Sequence, residues 1–248
     1  MHLTETDPAI HVADVEHDTP PLDAALRNVS RPDQVRATTM RHGPIWLRGR
    51  AWLRSILAFE TGCSPSAVQL ARQCASCGST AHGKLFTPSV PSLDFSVSHS
   101  GPYIACAVSH SSIVGIDLEP NHRNVVDLVS RFCTAKEAAY IARARNSDKQ
   151  ERALRIWVRK EAVLKACGLG LSAEMCRIDV MEPTCILRGK AWELIEPPSP
   201  FPLVIAVAFA KRHSDWAPAT NLTLSPRAAH STRKAPSGGS GHFSKAVH

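Results

Sequence analysis

The sequence has no long hydrophobic run, and no secretory signal is visible in its opening residues. Its longest apolar stretch, from Pro200 to Ala210, is about half the ~20 residues that a membrane-spanning helix needs. The opening residues, MHLTETDPAI, contain neither a basic segment nor the apolar core of a signal peptide. These absences exclude a membrane span and argue against secretion, so we expect the protein in the cytoplasm.

Aromatic residues are also scarce, at 6% of the chain, and no internal repeat is visible. The composition excludes a wholly disordered chain, a collagen and a coiled coil, and 44% hydrophobic residues are enough for a sizeable core. A length of 248 residues predicts one to two domains.

Eight cysteines do not predict a disulfide framework, because such frameworks are typical of small secreted chains. Half of them lie among apolar neighbours, where a free thiol behaves as a small buried hydrophobic group. These are Cys106, Cys133, Cys167 and Cys185.

The formal net charge of +7 is unevenly distributed. Residues 213–248 are rich in Ser, Pro, Gly, Thr and Ala, and their side chains carry +3 of it. We expect them to form a disordered basic tail, because they cannot bury enough apolar surface to offset their ordering entropy. The less favoured alternative is an arm that contacts polyphosphate or nucleic acid. Residues 1–212 are then only mildly basic.

Strand and helix patterns alternate in blocks along residues 1–212, which favours an α+β fold over a doubly wound sheet. Three runs separated by short turns predict an antiparallel meander: Phe95–His99, Tyr103–Ser109 and Ile113–Glu119. Further strands are predicted at Ile10–Val15, Ile178–Val180, Cys185–Leu187, Ala191–Leu194 and Leu203–Phe209.

Helices are predicted where capping signals meet a helical period. One begins after Ser30, one spans Trp46–Phe59, and one follows Thr134, whose spacing to Glu137 is that of a capping box. A long helix over Glu151–Cys167 is closed by Gly168.

Two carboxylates share one face of a predicted strand. In Gly115-Ile-Asp-Leu-Glu119, the period of two puts Asp117 and Glu119 on one side and the apolar residues on the other. Carboxylates about 7 Å apart repel each other unless a cation lies between them, and oxygen ligands suit Mg²⁺. The alternative is a strand end that faces solvent.

The long helix adds a third carboxylate. Glu161 and Lys165 fall inside its apolar stripe with Leu154, Trp157 and Leu164, where unpaired charge is costly. They either pair with each other at i,i+4 or act as a metal ligand and an anion-binding lysine.

A further pattern, Cys74-x-x-Cys77-Gly with His82 five residues later, admits a zinc site. Only one CxxC is present, so a plain turn before the His-Gly-Lys loop is the preferred interpretation.

Five motifs stand in order along the chain: His82-Gly-Lys84, Phe95-Ser-Val-Ser-His-Ser100, Gly115-Ile-Asp-Leu-Glu119, Phe132 with Glu137, and Trp157-Val-Arg-Lys-Glu-Ala-Val-Leu-Lys165 followed by Gly168-Leu-Gly-Leu171. Taken together, these five resemble the motifs of the 4′-phosphopantetheinyl transferases, and specifically of the surfactin-synthetase-activating (Sfp) type. The resemblance covers about 90 residues directly.

The resemblance implies two similar pseudo-twofold lobes, each a small antiparallel sheet packed with helices. The lobes are expected at residues 1–112 and 113–212. It also implies the reaction, in which the phosphopantetheine arm of coenzyme A passes to a serine of an acyl or peptidyl carrier protein and adenosine 3′,5′-bisphosphate leaves. A monomer that binds neither nucleic acid nor membrane is expected.

The residue roles that follow from the resemblance fall into three groups. The ligands of Mg²⁺, or of Mn²⁺, are Asp117, Glu119 and Glu161. The catalytic residues are Glu161, Lys165 and Glu137, although Glu137 has an equally weighted role as the capping-box acid. The coenzyme A contacts are Lys84, Ser98, His99, Asp117, Arg48, Lys160 and Lys165.

The chain departs from the family pattern in the first lobe. Ile45 stands where many members have a coenzyme A-binding arginine, so Arg41, Arg48 or Arg50 is expected to substitute. Leu85 replaces the proline that often follows the lysine equivalent to Lys84.

Two other functions fit some of the same residues. A metal-dependent nuclease would use acidic pairs and a lysine, but its lysine usually lies within the strand motif, as E-x-K. A non-catalytic module that binds carrier proteins or nucleic acid would have no need of Glu119 and Glu161 together.

Overall fold

The computed structural model describes residues 8–75, 77–169 and 175–212. The predicted tail, 213–248, and Gly170 and Leu171 of the last motif lie outside the described residues.

Two antiparallel sheets and one hairpin make up the β structure. The first sheet has the order β1-β5-β4, the second has the order β6-β9-β8-β7, and β2 pairs with β3. The strands are β1 Ala9–Asp14, β2 Ala71–Gln73, β3 Lys84–Phe86, β4 Asp94–Ser100, β5 Tyr103–Ser109, β6 Ser112–Pro120, β7 Thr184–Leu187, β8 Lys190–Ile195 and β9 Leu203–Lys211.

Each large sheet carries one long helix. The helices are α1 Leu22–Leu26, α2 Arg31–Thr38, α3 Gly43–Thr61, α4 Val129–Phe132, α5 Ala135–Ala142 and α6 Asn146–Cys167. Short 3₁₀ turns cover Pro65–Ala67, Val126–Leu128 and Met175–Arg177. Helix α3 packs on the first sheet and α6 on the second. The predicted α+β class is confirmed.

The two sheets meet through a shared apolar core. Strand β9 alternates, so that Ile205, Val207 and Phe209 face the first sheet while Ala206 and Ala208 face α6. The small alanines let the helix lie close to the sheet.

Local signals predicted the helix ends well. The Ser30 side chain accepts a hydrogen bond from the backbone N–H of Asp33, and Thr134 and Glu137 form both bonds of a capping box. Helix α6 ends at Gly168, whose φ of 69° is in the left-handed region.

Two strand predictions are wrong. The meander stops after β5, because β6 pairs with β9 instead and joins the second sheet. Ile178–Val180 is not a strand: it follows a 3₁₀ turn, and the backbone N–H of Val180 donates to Glu137.

The cysteines behave as predicted, with one exception. Cys106, Cys133 and Cys185 are buried, Cys167 is partly exposed, and no disulfide joins any of the described cysteines. No helix in the described part of the chain has the length and apolarity needed to cross a bilayer.

Candidate active site

Strands β4 and β6 lie side by side at the junction of the two sheets, linked by side chains of β4. Asp94, Ser96 and Ser98 accept hydrogen bonds from alternate backbone N–H groups of β6, at 2.7, 3.1 and 3.4 Å. The same alternation aims the side chain of Asp117 back at Ser98.

Helix α6 crosses β6 at Gly115. A Cβ atom added to Gly115 would lie 2.1 Å from the carbonyl oxygen of Ala162 and 2.3 Å from the backbone nitrogen of Ala166. No larger residue fits at that distance, so glycine allows the helix to rest on the strand backbone. This close approach brings Glu161 and Lys165 over the Asp117 end of the strand.

Asp117, Lys165 and Ser98 form a closed triangle of hydrogen bonds. The Lys165 ammonium lies 2.7 Å from Asp117 Oδ1 and 2.7 Å from Ser98 Oγ, and Ser98 Oγ donates to Asp117 Oδ1 at 2.8 Å. Burial raises the pKa of Asp117, while the charge of Lys165 and these hydrogen bonds act in the opposite direction. Lys165 thus pairs with Asp117, and the alternative i,i+4 pair with Glu161 is not formed.

Two buried carboxylate oxygens in this cluster have no hydrogen-bond partner. They are Asp117 Oδ2 and Glu161 Oε1, on side chains from two different elements. Burial, followed by the charge of Asp117, raises the pKa of Glu161 to about 7. Buried oxygens without partners are rare in folded proteins and are expected where a ligand completes the site.

Glu119 differs from the other two acids. Its Oε2 accepts a hydrogen bond from Ser100 Oγ at 2.7 Å, and its Oε1 pairs with Arg123. Each carboxylate oxygen has a second lone pair, so Glu119 keeps capacity for a further ligand.

The three acids suit a hard divalent cation. Two of them present unpartnered oxygens, and Mg²⁺ is bound by carboxylate oxygens in proteins. Among the described residues, however, they do not bring ligand atoms within 4.8 Å of one another as Cys74, Cys77 and His82 do. A cation held by all three acids therefore requires their carboxylates to move closer together, and the contact between Glu119 and Arg123 opposes that movement.

His99 and Arg50 lie near Lys165, beside the acids. The His99 ring faces α3 across Gly49, where an added Cβ would be 2.7 Å from the imidazole Cε1 atom. Partial burial, then the charges of Arg50 and Lys165, lower the pKa of His99 to about 4. Arg50 is itself buried, 3.3 Å from Asp33 and stacked on Trp46. Arg50 supplies positive charge and the neutral His99 imidazole can donate a hydrogen bond, so the two together suit an anion.

Four of the predicted residues are not brought to this cluster. Glu137 of α5 and Lys160 of α6 are wholly buried and paired at 2.5 Å with each other. Arg48 donates to the backbone carbonyls of Glu16, Thr19 and Pro20, and so fixes the loop after β1.

Lys84 is the fourth. Its ammonium pairs with Asp94 and donates to the carbonyl of Val114 at 2.8 Å, about three residues, or roughly 10 Å, along β6 from Asp117. There it lines a cavity of about 430 Å³ between the β2–β3 hairpin, Gly168 and Trp192.

Arg123 and the two close-approach glycines were not singled out by the sequence. A glycine inside a strand does mark a close backbone approach, so Gly115 carried a usable signal. Arg123 had none, since its contact depends on how the chain leaves β6.

Comparison with known proteins agrees with this geometry. Residues 113–200, which contain β6 and α6, match the family model of the 4′-phosphopantetheinyl transferase superfamily. The chain is 31% identical to 4′-phosphopantetheinyl transferase HetI of Nostoc sp., over 84% of this chain and 91% of that protein. It therefore belongs to the 4′-phosphopantetheinyl transferase family.

Other relatives match a shorter region. A 4′-phosphopantetheinyl transferase of Bacillus subtilis is 32% identical over 51% of this chain, and the chain spans only 53% of that protein. 4′-Phosphopantetheinyl transferase Sfp of Bacillus subtilis is 26% identical over the same shares. The holo-[acyl-carrier-protein] synthase of Thermotoga maritima has a TM-score of 0.31 and 17% identity over 40% of this chain and 63% of its own, values too low to support a structural argument.

Proposed function

We propose that this chain transfers the 4′-phosphopantetheine arm of coenzyme A to a serine of an apo carrier protein, as an Sfp-type enzyme that depends on Mg²⁺ or Mn²⁺. The observation that carries the proposal is the pair of buried, unpartnered oxygens, Asp117 Oδ2 and Glu161 Oε1, beside the Lys165 ammonium. Family membership supports the reaction class, and this cluster supports the residue roles.

Asp117, Glu119 and Glu161 would hold the cation. When bound, a divalent cation neutralises charge on the pyrophosphate of coenzyme A and so favours attack at phosphorus. The unpartnered oxygens of Asp117 and Glu161 supply ligands without loss of existing hydrogen bonds. Glu119 would join them by turning from Arg123.

Lys165 is suited to bind the phosphate that leaves. Its ammonium is held by Asp117 and Ser98, yet 29% of its side chain remains exposed and open to an anion. Donation to a phosphate oxygen stabilises the negative charge that builds up as the P–O bond to adenosine 3′,5′-bisphosphate breaks.

The attacking serine hydroxyl of the carrier must lose its proton. Glu161, or a water molecule of the metal site, would accept it. Without a cation, burial raises the pKa of Glu161 to about 7, whereas a bound cation would favour the ionised carboxylate that serves as its ligand.

For coenzyme A, we propose His99 and Arg50 as phosphate contacts, His99 with the 3′-phosphate. Burial, followed by the charges of Arg50 and Lys165, lowers the pKa of His99 to about 4, and these two charges would favour an anion beside it. Arg50 replaces Arg48 in this role, since Arg48 is engaged by three backbone carbonyls. Lys84 stays a candidate contact only if it leaves Asp94.

The organisation of the chain belongs to the same proposal. We divide it into lobes at 1–112 and 113–212, the second carrying the metal site, with 213–248 as a basic extension. The enzyme would act as a cytoplasmic monomer on acyl or peptidyl carrier proteins and would not use nucleic acid.

The test is direct. The purified protein is incubated with coenzyme A, MgCl₂ and a panel of apo carrier proteins of fatty-acid, polyketide and non-ribosomal peptide type, and intact mass is recorded. We expect one carrier at least to gain one phosphopantetheine arm, with release of adenosine 3′,5′-bisphosphate that stops in excess chelator. No modification of any carrier, or metal-dependent cleavage of DNA or RNA in parallel reactions, would overturn the proposal.

A further inference from the structure

The loop of the β2–β3 hairpin gathers three soft metal ligands. One ligand atom each from Cys74, Cys77 and His82 lies within 4.8 Å of the other two, and Cys77 Sγ is 3.4 Å from His82 Nε2. Cys74 is buried, whereas Cys77 and His82 are exposed, so the group sits at the surface with one side against the protein.

The backbone of this loop is folded to produce that convergence. The N–H of Gly78 donates to the Cys74 carbonyl and the N–H of Cys74 donates to the Ser79 carbonyl, both at 2.9 Å. Gly78 has a φ of 72°, which closes the turn directly after Cys77. Both thiols therefore lie on the same side of a tight turn.

Gly83 brings the histidine back to the thiols. It has a φ of 106°, and an added Cβ would lie 2.2 Å from the Gln73 carbonyl oxygen and 2.4 Å from the Cys74 nitrogen. Because the chain at Gly83 touches the backbone next to Cys74, the preceding His82 is held over the CxxC turn.

We propose that Cys74, Cys77 and His82 bind a Zn²⁺ ion, at a site separate from the carboxylate cluster. Tetrahedral Zn²⁺ with bonds of about 2.3 Å to sulfur and 2.0 Å to nitrogen sets a sulfur–nitrogen separation of about 3.5 Å. The Cys77–His82 distance of 3.4 Å agrees with it. Thiolate and imidazole ligands select Zn²⁺ over Mg²⁺, which prefers oxygen.

The coordination has one position left for solvent, since the described residues contribute three ligands to this group. The ion would act on the fold and not on the reaction. The loop lies against the end of α6: a Cβ added to Gly168 would be 3.4 Å from Ala75 Cβ and 3.7 Å from Lys84 Cβ. Zinc thus fixes the hairpin against the helix that carries Lys165.

The experiment measures zinc in untagged, full-length protein purified without chelator and then dialysed. Cys77→Ser and His82→Ala each remove one exposed ligand, so the fold has little reason to fail. Cys176→Ser and His122→Ala are the matched controls, because each removes an exposed residue of the same type elsewhere. Metal content is read by mass spectrometry, and Co²⁺ replacement reads the ligand type by its thiolate charge-transfer and tetrahedral d–d bands.

We expect one equivalent of zinc in the wild type and in both controls, and loss to background in both ligand variants. Zinc should raise the wild-type melting temperature and leave that of Cys77→Ser unchanged, because only a site in the folded state stabilises by binding. Any of three results would overturn the proposal. These are an equal zinc content in all five proteins, no zinc even after reconstitution, or thiol counts that reveal a Cys74–Cys77 disulfide in protein purified with reductant.

Discussion

Adjacent residues of α6, Lys160 and Glu161, handle buried charge in opposite ways. The Lys160 ammonium is fully enclosed and donates to the carbonyls of Phe132 and Met175, at 2.7 and 2.8 Å, besides pairing with Glu137. Glu137 in turn accepts from the N–H groups of Thr134 and Val180. Every donor of the lysine and both oxygens of the acid are used.

Glu161, one residue further, is 8% exposed and has an oxygen with no partner. A fully satisfied buried pair favours one arrangement of the fold, whereas an unsatisfied carboxylate costs stability and can accept a ligand. For these two neighbours, therefore, the difference between the structural residue and the one proposed to do chemistry lies in whether its hydrogen bonds are satisfied, not in burial alone.

The largest effect is expected for Glu161→Gln. The amide keeps the shape of the side chain but removes the charge that binds a cation and the base that takes a proton, so transfer should fall by about 1,000-fold. The melting temperature without metal should stay level or rise, because an unpaired buried charge has gone. Initial rates measure the loss of transfer, and thermal melts measure the melting temperature.

Glu193→Gln, an exposed carboxylate on β8, is the matched control and should keep wild-type rates. If Glu161→Gln retains more than a tenth of the wild-type rate across a Mg²⁺ titration, Glu161 is neither ligand nor base.

Glu137→Ala is expected to have the opposite effects: a loss of stability with little change in rate. It leaves Lys160 charged and unpaired in the core, which should cost about 3–5 kcal/mol of unfolding free energy in urea. The rate per folded molecule should change little, since Glu137 lies with Lys160 and away from Asp117.

The double variant Glu137→Leu with Lys160→Met separates the two roles of Glu137. Replacing both partners should recover much of the lost stability. A rate per folded molecule that is abolished in the double variant, although its stability has recovered, would support the catalytic role that the family resemblance implies for Glu137.

A third prediction concerns pH. The pKa of Glu161 in the folded chain, about 7, lies above its ordinary value of 4.5, so between these values the unfolded chain releases a proton that the folded chain retains. In chelator, stability should therefore fall as pH rises from 4.5 to 7, by roughly 3 kcal/mol from this group, and stay level above 7.

Mg²⁺ should restore the stability of the wild type at pH 8, where Glu161 is ionised, and have little effect at pH 5. Glu161→Gln should show neither the pH-dependent loss nor the rescue. Identical melting curves for wild type and variant at pH 8, with and without Mg²⁺, would contradict the assignment.

The sequence predicted those parts of the molecule that depend on local rules. The Thr134–Glu137 capping box and the Gly168 helix end follow from short-range hydrogen bonding, and the strand period put Asp117 and Glu119 on one face. What it could not decide depends on long-range packing. Lys160 and Glu161 differ by one step of 100° around the helix. Only the position of α4 and α5 decides that Lys160 is enclosed and that Glu161 is not.

The pairing partner of β6 could not be predicted from the sequence for the same reason. Ile113–Glu119 follows β5 after a short turn and fits a meander, yet it pairs with β9, more than eighty residues later. Lys165 was expected to face either Glu161 or an anion, and its actual partners, Asp117 and Ser98, come from two strands of different sheets.

The smallest expected effect is a difference between variants of two serines, Ser96 and Ser98, that make the same kind of hydrogen bond to the backbone of β6. Ser96 Oγ and Ser98 Oγ each accept an N–H of β6, but Ser98 also donates to Asp117 and accepts from Lys165. Ser98→Ala should raise the Mg²⁺ concentration at half-maximal rate about tenfold, near the lower end of the roughly 1.5–3 kcal/mol that one hydrogen bond to a charged group contributes. Ser96→Ala should lower stability by a similar amount and leave that concentration unchanged. Equal Mg²⁺ titrations for the two variants would mean that Ser98 supports only the strand pair, and that Asp117 is oriented by Lys165 alone.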